Sequence, residues 1–221
     1  MMQRMSMKNK ISILIVGAGA HGRVVLDTLR YQPVNVKGFI DDNIKKGTYI
    51  DGVPVLGKCG DLGSFFKIDL QVVVAIGNNF IRSKIFSDLY QLGFTPYSVI
   101  HPSAIISPSV KLGKGVIIFA GVVINTGTML GDNVNVNTSA SIDHDCLIEE
   151  HVHIYPGTNL AGNVRVKQFS YLGTGSAVNP NITIGRNVLI GTGAAVVKDI
   201  PDNVTAVGVP ARILKTREAL Y

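Results

Sequence analysis

From Ile106 to Val196 an aliphatic side chain returns at every sixth position without a gap: Ile106, Leu112, Ile118, Ile124, Leu130 and so on through Ile184, Ile190 and Val196. A second register lies four residues further on. It holds only small or β-branched side chains and one thiol, among them Val110, Thr128, Ala140, Cys146, Thr158, Ser170 and Ser176. A period of six is neither the helical 3.6 nor the alternation of a simple strand. It predicts a chain wound as a parallel β-helix with one flat face per hexad. Three hexads per coil give an eighteen-residue turn and a three-sided prism of about five coils. No hexad can bury its aliphatic residue alone, so the coils must stack into one apolar rod. The small register is assigned to the corners. Gly113, Asn125, Gly131, Asp143, Gly173, Gly185 and Gly191, each directly after a main aliphatic, are assigned to tight turns that often need positive φ.

The first hundred residues follow another rule. Ile11 to Val16 reads as a buried strand, Ala20 to Arg30 as a helix with Val24, Val25 and Leu29 on one side, and Val34 to Ile40 as a second strand. Leu70 to Ile76 reads as a third strand and Phe80 to Leu92 as a second helix. This alternation predicts a parallel sheet. Gly17-Ala18-Gly19-Ala20-His21-Gly22 follows the first strand and opens the first helix, where glycines let the backbone approach a pyrophosphate. Asp41 and Asp42 end the second strand, the place of a ribose-binding acid. Taken alone, these features suit NAD. The third strand, however, ends in Gly77-Asn78-Asn79 with Arg82 a turn later, and the domain is only about half a full dinucleotide fold. That set suits a sugar nucleotide, with carboxylates for base or ribose and amides for phosphate. A helix cap is the alternative for the Asn pair.

The chain has 221 residues, a formal net charge of +6 and no tryptophan. The charge fits either plain solubility or a polyanionic small ligand such as a nucleotide or coenzyme A. No Lys/Arg cluster of the kind that tracks nucleic acid is seen. The N-terminal MMQRMSMKNK lacks the apolar core of a signal peptide, and the run from Ile11 to Val16 is too short to cross a membrane. The two cysteines, Cys59 and Cys146, fit a reducing cytoplasm. Cys146 lies in the inward small register and reads as a core thiol.

Together these pieces resemble the bacterial sugar O/N-acetyltransferases that join a small nucleotide-binding domain to a left-handed β-helix. The resemblance is nearest to the acetyl-CoA-dependent N-acetyltransferases acting on UDP-4-amino sugars in bacillosamine synthesis. It extends to relatives acting on dTDP- or GDP-linked sugars and to sialic acid O-acetyltransferases. It spans about Ile11 to Ile213. It rests on Gly-Ala-Gly-Ala-His-Gly, Phe39-Ile40-Asp41-Asp42, Ala75-Ile76-Gly77-Asn78-Asn79, His101-Pro102-Ser103-Ala104, Ile142-Asp143-His144-Asp145-Cys146, Ala161-Gly162-Asn163-Val164 and Val207-Gly208-Val209-Pro210-Ala211-Arg212.

The resemblance implies a Rossmann-like nucleotide-sugar-binding domain over residues 1–100 and a left-handed β-helix acetyltransferase domain with a short tail over 101–221. The left hand comes from the resemblance, since parallel crossovers are otherwise nearly always right-handed. It implies that Gly19, Ala20, His21, Asp41, Asp42, Gly77 and Asn78 meet the nucleotide sugar. It makes His144 the general base, assisted by Asp145, where the bacillosamine enzymes commonly carry the longer Glu. It sets His153, Thr174 and Thr192 along acetyl-CoA. The implied reaction is N-acetylation of a nucleotide-linked 4-amino sugar, with sugar O-acetylation as the alternative. No metal is implied.

Register adds geometry to those roles. His144 stands two residues after inward Ile142, at an outward corner, and His153 directly precedes inward Ile154 and also points out. Nine residues separate them, half a coil. One subunit cannot then bring both to one thioester. The arithmetic predicts that His144 of one subunit meets His153 of its neighbour in a closed oligomer, most simply a trimer. Gly173-Thr174-Gly175 and Gly191-Thr192-Gly193 share one address on successive coils and leave a smooth strip for a pantetheine arm, or are ordinary turns. Two rivals remain. A zinc site would draw on His144, His151 and His153, at a spacing unlike that of trimeric hexapeptide carbonic anhydrases. An NAD-linked oxidoreductase would leave the β-helix without a task.

Overall fold

The computed structural model describes residues 10–66 and 70–219, so the reading of the N-terminal segment as no signal peptide lies largely outside the described residues. β1 (Ile11–Val16), α1 (Ala20–Leu29) and β2 (Val34–Ile40) fall where the apolar runs place them. A hairpin follows, β3 (Tyr49–Ile50) and β4 (Val53–Gly57), then a short 3-10 turn at Cys59–Phe65, β5 (Leu70–Val74), α2 (Asn79–Gln91) and β6 (Thr95–Pro96). The sheet runs β3-β4-β2-β1-β5-β6, with β1 flanked in parallel by β2 and β5. Sequence periodicity missed the hairpin, whose Val53-Pro-Val-Leu-Gly strand is too short and mixed to stand out. α1 buries Val25, Leu26 and Leu29; Val24, assigned to the same face, is 43% exposed, and Leu26 takes its place.

The rest is a left-handed parallel β-helix with three flat sheets of eight, six and five strands. Rungs repeat at eighteen residues: Val136 pairs with Ile154, Ile154 with Leu172, and Leu172 with Ile190. Coiling begins at Val99–Ile100, slightly before the expected boundary, because those two residues already pair with Ile117–Ile118. Both six-residue registers point inward and form one apolar rod. Polar members of the small register, Ser176 excepted, are satisfied in a regular way. Thr128, Thr158 and Ser170 each donate to a carbonyl fifteen residues ahead, those of Asp143, Gly173 and Gly185, at 2.7, 3.1 and 2.6 Å. Cys146 does the same to Ala161 at 3.3 Å, and burial raises its thiol pKa, as fits a core thiol.

The turn assignment needs correction. Positive φ falls two residues later than expected, at every sixth position from Gly115 to Gly193. Asn and Asp fill many of these sites because they tolerate the left-handed region. The glycines directly after the aliphatics serve close approach instead: a Cβ on Gly113, Gly131, Gly173 or Gly185 would run into the backbone of the next coil. Ile148 is fully buried mid-rod. Ile148→Ala is therefore expected to cost about 2–5 kcal/mol in denaturant unfolding with little change in turnover.

The two domains share a core. Val99, Ile117 and Phe119 of the first coils pack with Ile13, Ile15, Val25, Leu29 and Phe39. The α1 side of the N-terminal sheet is thereby held against the eight-stranded face of the prism.

Candidate active site

His144 stands on an exposed corner between Asp143 and Asp145. Asp145 takes the left-handed corner conformation, φ +58, and its carboxylate meets the His144 Nδ1 at 2.9 Å. An ionised carboxylate only accepts, so Nδ1 carries the proton and Nε2 is left with the lone pair. Asp143 is held apart: its Oδ1 accepts the His144 backbone N–H at 2.8 Å and the Asn125 amide, one coil earlier, at 2.8 Å. The hydrogen bond to Asp145, and then the charge of Asp143, raise the imidazole pKa above its ordinary value. Beneath the ring lies Gly162, the same address on the next coil. A Cβ there would overlap Nε2 and Cε1 of His144. The chain thus presents a basic nitrogen, fixed in tautomer and set over a glycine on an exposed corner.

The second cluster lies on another face, where α1 meets the prism. His21, in the first turn of α1, faces Asn135 (Nε2 to Nδ2, 3.2 Å), and its ring centroid is 5.6 Å from those of Phe119 and His153. Asn135 and His153 are neighbours on adjacent rungs. His153 points away from the prism axis as its register requires, but it is only 3% exposed, covered by the N-terminal domain of the same chain. Burial, then Arg82 and His21, push its pKa well below the ordinary histidine range. His21 is lowered to about 4, by burial and then by Arg82. Both imidazoles are neutral at pH 7. Both ring nitrogens of His153 and the Asn135 Oδ1 are buried without a hydrogen-bond partner among the described residues, an unsatisfied state that each such group normally avoids.

The remaining sequence candidates divide. Gly19 and Ala20 are exposed, and Gly19 is the N-cap of α1 without a side-chain cap, so the helix N-terminus is open to an anion. Gly77 leads into α2 beside His153. Asn78 caps α2, its Oδ1 accepting from the Phe80 and Ile81 N–H groups at 3.0 Å, so the capping alternative is realised and only its amide nitrogen is left for a ligand. Asp41 is drawn into the fold. Its Oδ2 accepts from Ala18 N–H in the glycine loop at 2.8 Å, and its Oδ1 accepts from Asn43 and Ile44. Asp42 accepts from Cys59 N–H at 2.8 Å and borders a depression shared with Lys45, Lys46 and Lys58. Arg82, grouped by sequence with the phosphate-binding set, is fully buried and closed to a phosphate.

Thr174 and Thr192 line one surface groove with Tyr155, Tyr171, Leu189 and Arg217. The groove starts at Arg217, whose guanidinium lies over the Tyr171 ring, and ends at Tyr155, whose ring is 4.4 Å from that of His153. Sequence reading missed both tyrosines and Arg217; of the three only Tyr171 had a signal, its eighteen-residue spacing from His153, which puts it on the next rung. His144, His151 and His153 do not converge. His151 stacks on Phe169 at 5.1 Å, and among the described residues no three His, Cys, Asp or Glu side chains are grouped to hold a metal. No helix among them is long and apolar enough to cross a membrane.

Comparison with known proteins agrees with this layout. Residues 12–89 match the PglD N-terminal domain family. GDP-perosamine N-acetyltransferase of Escherichia coli O157:H7 is 31% identical over 171 residues, covering 72% of this chain and 74% of that protein. The solved acetyltransferase domain of PglB from Neisseria gonorrhoeae, in complex with acetyl coenzyme A, is 38% identical with a TM-score of 0.88 and covers 93% of this chain and 100% of that one. PerB from Caulobacter crescentus, in complex with CoA and GDP-perosamine, is 40% identical with a TM-score of 0.88 over 92% of this chain and 97% of its own. The chain therefore belongs to the PglD-type family of bacterial acetyl-CoA-dependent sugar N-acetyltransferases.

Proposed function

We propose that this enzyme transfers the acetyl group of acetyl-CoA to the amino group of a nucleotide-linked 4-amino sugar, with His144 as general base. The observation that carries the reading is the Asp145–His144–Gly162 arrangement: a locked imidazole with a free Nε2 on a flat outer corner. As the sugar nitrogen attacks the thioester carbon, Nε2 takes its proton; the C–S bond then breaks and the CoA thiolate takes that proton from the imidazolium, which returns His144 to its neutral form. A positioned base of this kind contributes roughly 10²- to 10⁴-fold.

The nucleotide sugar enters at the open N-terminus of α1, past Gly19, Ala20, His21, Asp42 and Gly77. Acetyl-CoA lies along Thr174 and Thr192 with its acyl end toward His153, whose neutral ring can donate one N–H to the thioester oxygen. His144 lies on another face of its own subunit. It therefore serves the cleft of a neighbouring copy, in a homotrimer with sites between subunits. Both cysteines are free, which suits the cytoplasm. GDP-perosamine heads a panel of GDP-, UDP- and dTDP-linked 4-amino sugars, with sialic acid alongside as the O-acetyl acceptor. Acetyl-CoA-dependent turnover of at least one nucleotide amino sugar supports the reading; turnover of sialic acid alone contradicts it.

The raised pKa of His144 has a definite sign in the rate. The base is active when neutral, so kcat/KM falls as pH drops through its pKa, above the ordinary 6.5. Asp145→Asn removes the largest cause of the rise. The acid limb of the profile is expected to move to lower pH, with a lower plateau. An unmoved limb separates that limb from His144.

A further inference from the structure

The first turns of α2 carry two side chains that reach across to one edge of the prism. Asn79, 1% exposed, donates its amide to the carbonyls of Phe169 and Ser170 at 3.0 and 3.1 Å, and its backbone N–H reaches the Tyr171 hydroxyl at 2.5 Å. Arg82, fully buried, donates to the carbonyls of His151 (2.9 Å) and Asn133 (3.4 Å) on the prism, and of Ile76 (3.1 Å) and Gly77 (3.5 Å) in its own domain. Asn133, His151 and Phe169 are the same corner on three successive coils, each with positive φ. Among the described residues no carboxylate pairs with Arg82. A buried charge normally requires one; here carbonyl dipoles from two domains stand in its place.

We propose that Arg82 is a positioning residue of the transferase: its guanidinium seats the Ile76–Gly77 turn on the prism edge and places a fixed positive charge beside the His21–His153 pair. The Gly77 carbonyl it grips is the one that approaches the His153 ring. The groups facing this charge are His21 from α1, His151 and His153 from two coils, and the phenols of Tyr155 and Tyr171. Glu150 and Asp132 act on His151 alone in the opposite sense. Burial lowers the Arg82 pKa to about 10, so the cation persists at neutral pH. Burial first, and this charge second, hold His21 and His153 neutral, available as hydrogen-bond donors and acceptors and unable to compete with His144 as protonated groups.

The kinetic part rests on the function proposed above; the electrostatic part does not. Imidazole NMR titration of the whole protein, without substrate, reads the charge directly. In the parent, His21 titrates near 4. In Arg82→Met the His21 and His153 titrations are expected to move up by about one unit or more, and in Arg82→Lys to stay low. Arg82→Lys keeps the charge but loses the planar fork, so its KM for the nucleotide sugar is expected to rise about tenfold, with kcat less affected. Unmoved imidazoles in folded Arg82→Met overturn the proposal. If that variant does not fold, the lysine variant decides, and a parental KM overturns it. Absence of acetyl transfer to any sugar, with the titrations moving as expected, overturns the assigned reaction and leaves the Arg82 assignment standing.

Discussion

Replacing His144 with alanine is expected to lower turnover by about 10²-fold or more while the melting temperature stays near that of the parent. The two halves of this expectation come from different parts of the structure. The rate loss follows from the Nδ1 hydrogen bond to Asp145, which makes Nε2 the only basic nitrogen the corner offers. The retained stability follows from the position of the side chain, which is 54% exposed and contributes nothing to the apolar rod. Surface substitutions of this kind are usually within about 0.5 kcal/mol. Steady-state kinetics beside a thermal melt reads both. Near-parental turnover removes His144 from the mechanism.

Gly162→Ala is the second large effect, and it comes from a residue that touches no substrate. The three atoms nearest an added Cβ are Nε2, Cε1 and Cδ2 of His144. The backbone there is outside the positive-φ corner positions, so alanine meets no conformational barrier. The imidazole must tilt off its seat, and a displaced base loses its line to the substrate proton. A shift of about 1 Å at a reacting group can cost about 10²-fold. The expectation is a kcat lowered by about tenfold or more, with KM for acetyl-CoA and the melting temperature little changed. Parental kcat would mean that the ring position set by Gly162 does not matter. A large loss of stability would mean that the coil spacing, rather than the imidazole, needs the glycine.

Much of this architecture was legible from period six alone. Ile106 to Val196 gave each residue an inward or outward address, and the eighteen-residue rungs follow from it. The two outward histidines fell on different faces as their nine-residue separation requires. Where the reading failed, tertiary contact was the reason. His153 points outward, yet the N-terminal domain covers it, and no local pattern shows that a second domain will fold back over a β-helix face. Asn79 was read as a phosphate amide and Arg82 as part of the same sugar-nucleotide set; only their reach to carbonyls eighteen residues apart shows that they tie the domains together. Asp41 was assigned to a ligand by position, but its carboxylate closes the glycine loop onto Ala18. The Gly162 contact was present in the numbering, eighteen after His144, and becomes visible once the coil length is known.

The claim on which the account depends is that His144 of one copy completes the cleft of another. Co-expression of His144→Ala and His153→Ala chains, each expected to be strongly impaired alone, tests it without any knowledge of the ligand pose. If the site is shared, random assembly rebuilds intact sites from the unmutated faces, and the mixture should recover about a quarter of the parental rate per site. A mixture no more active than either variant by itself would place both histidines in one chain's site, or outside the reaction, and would contradict the account.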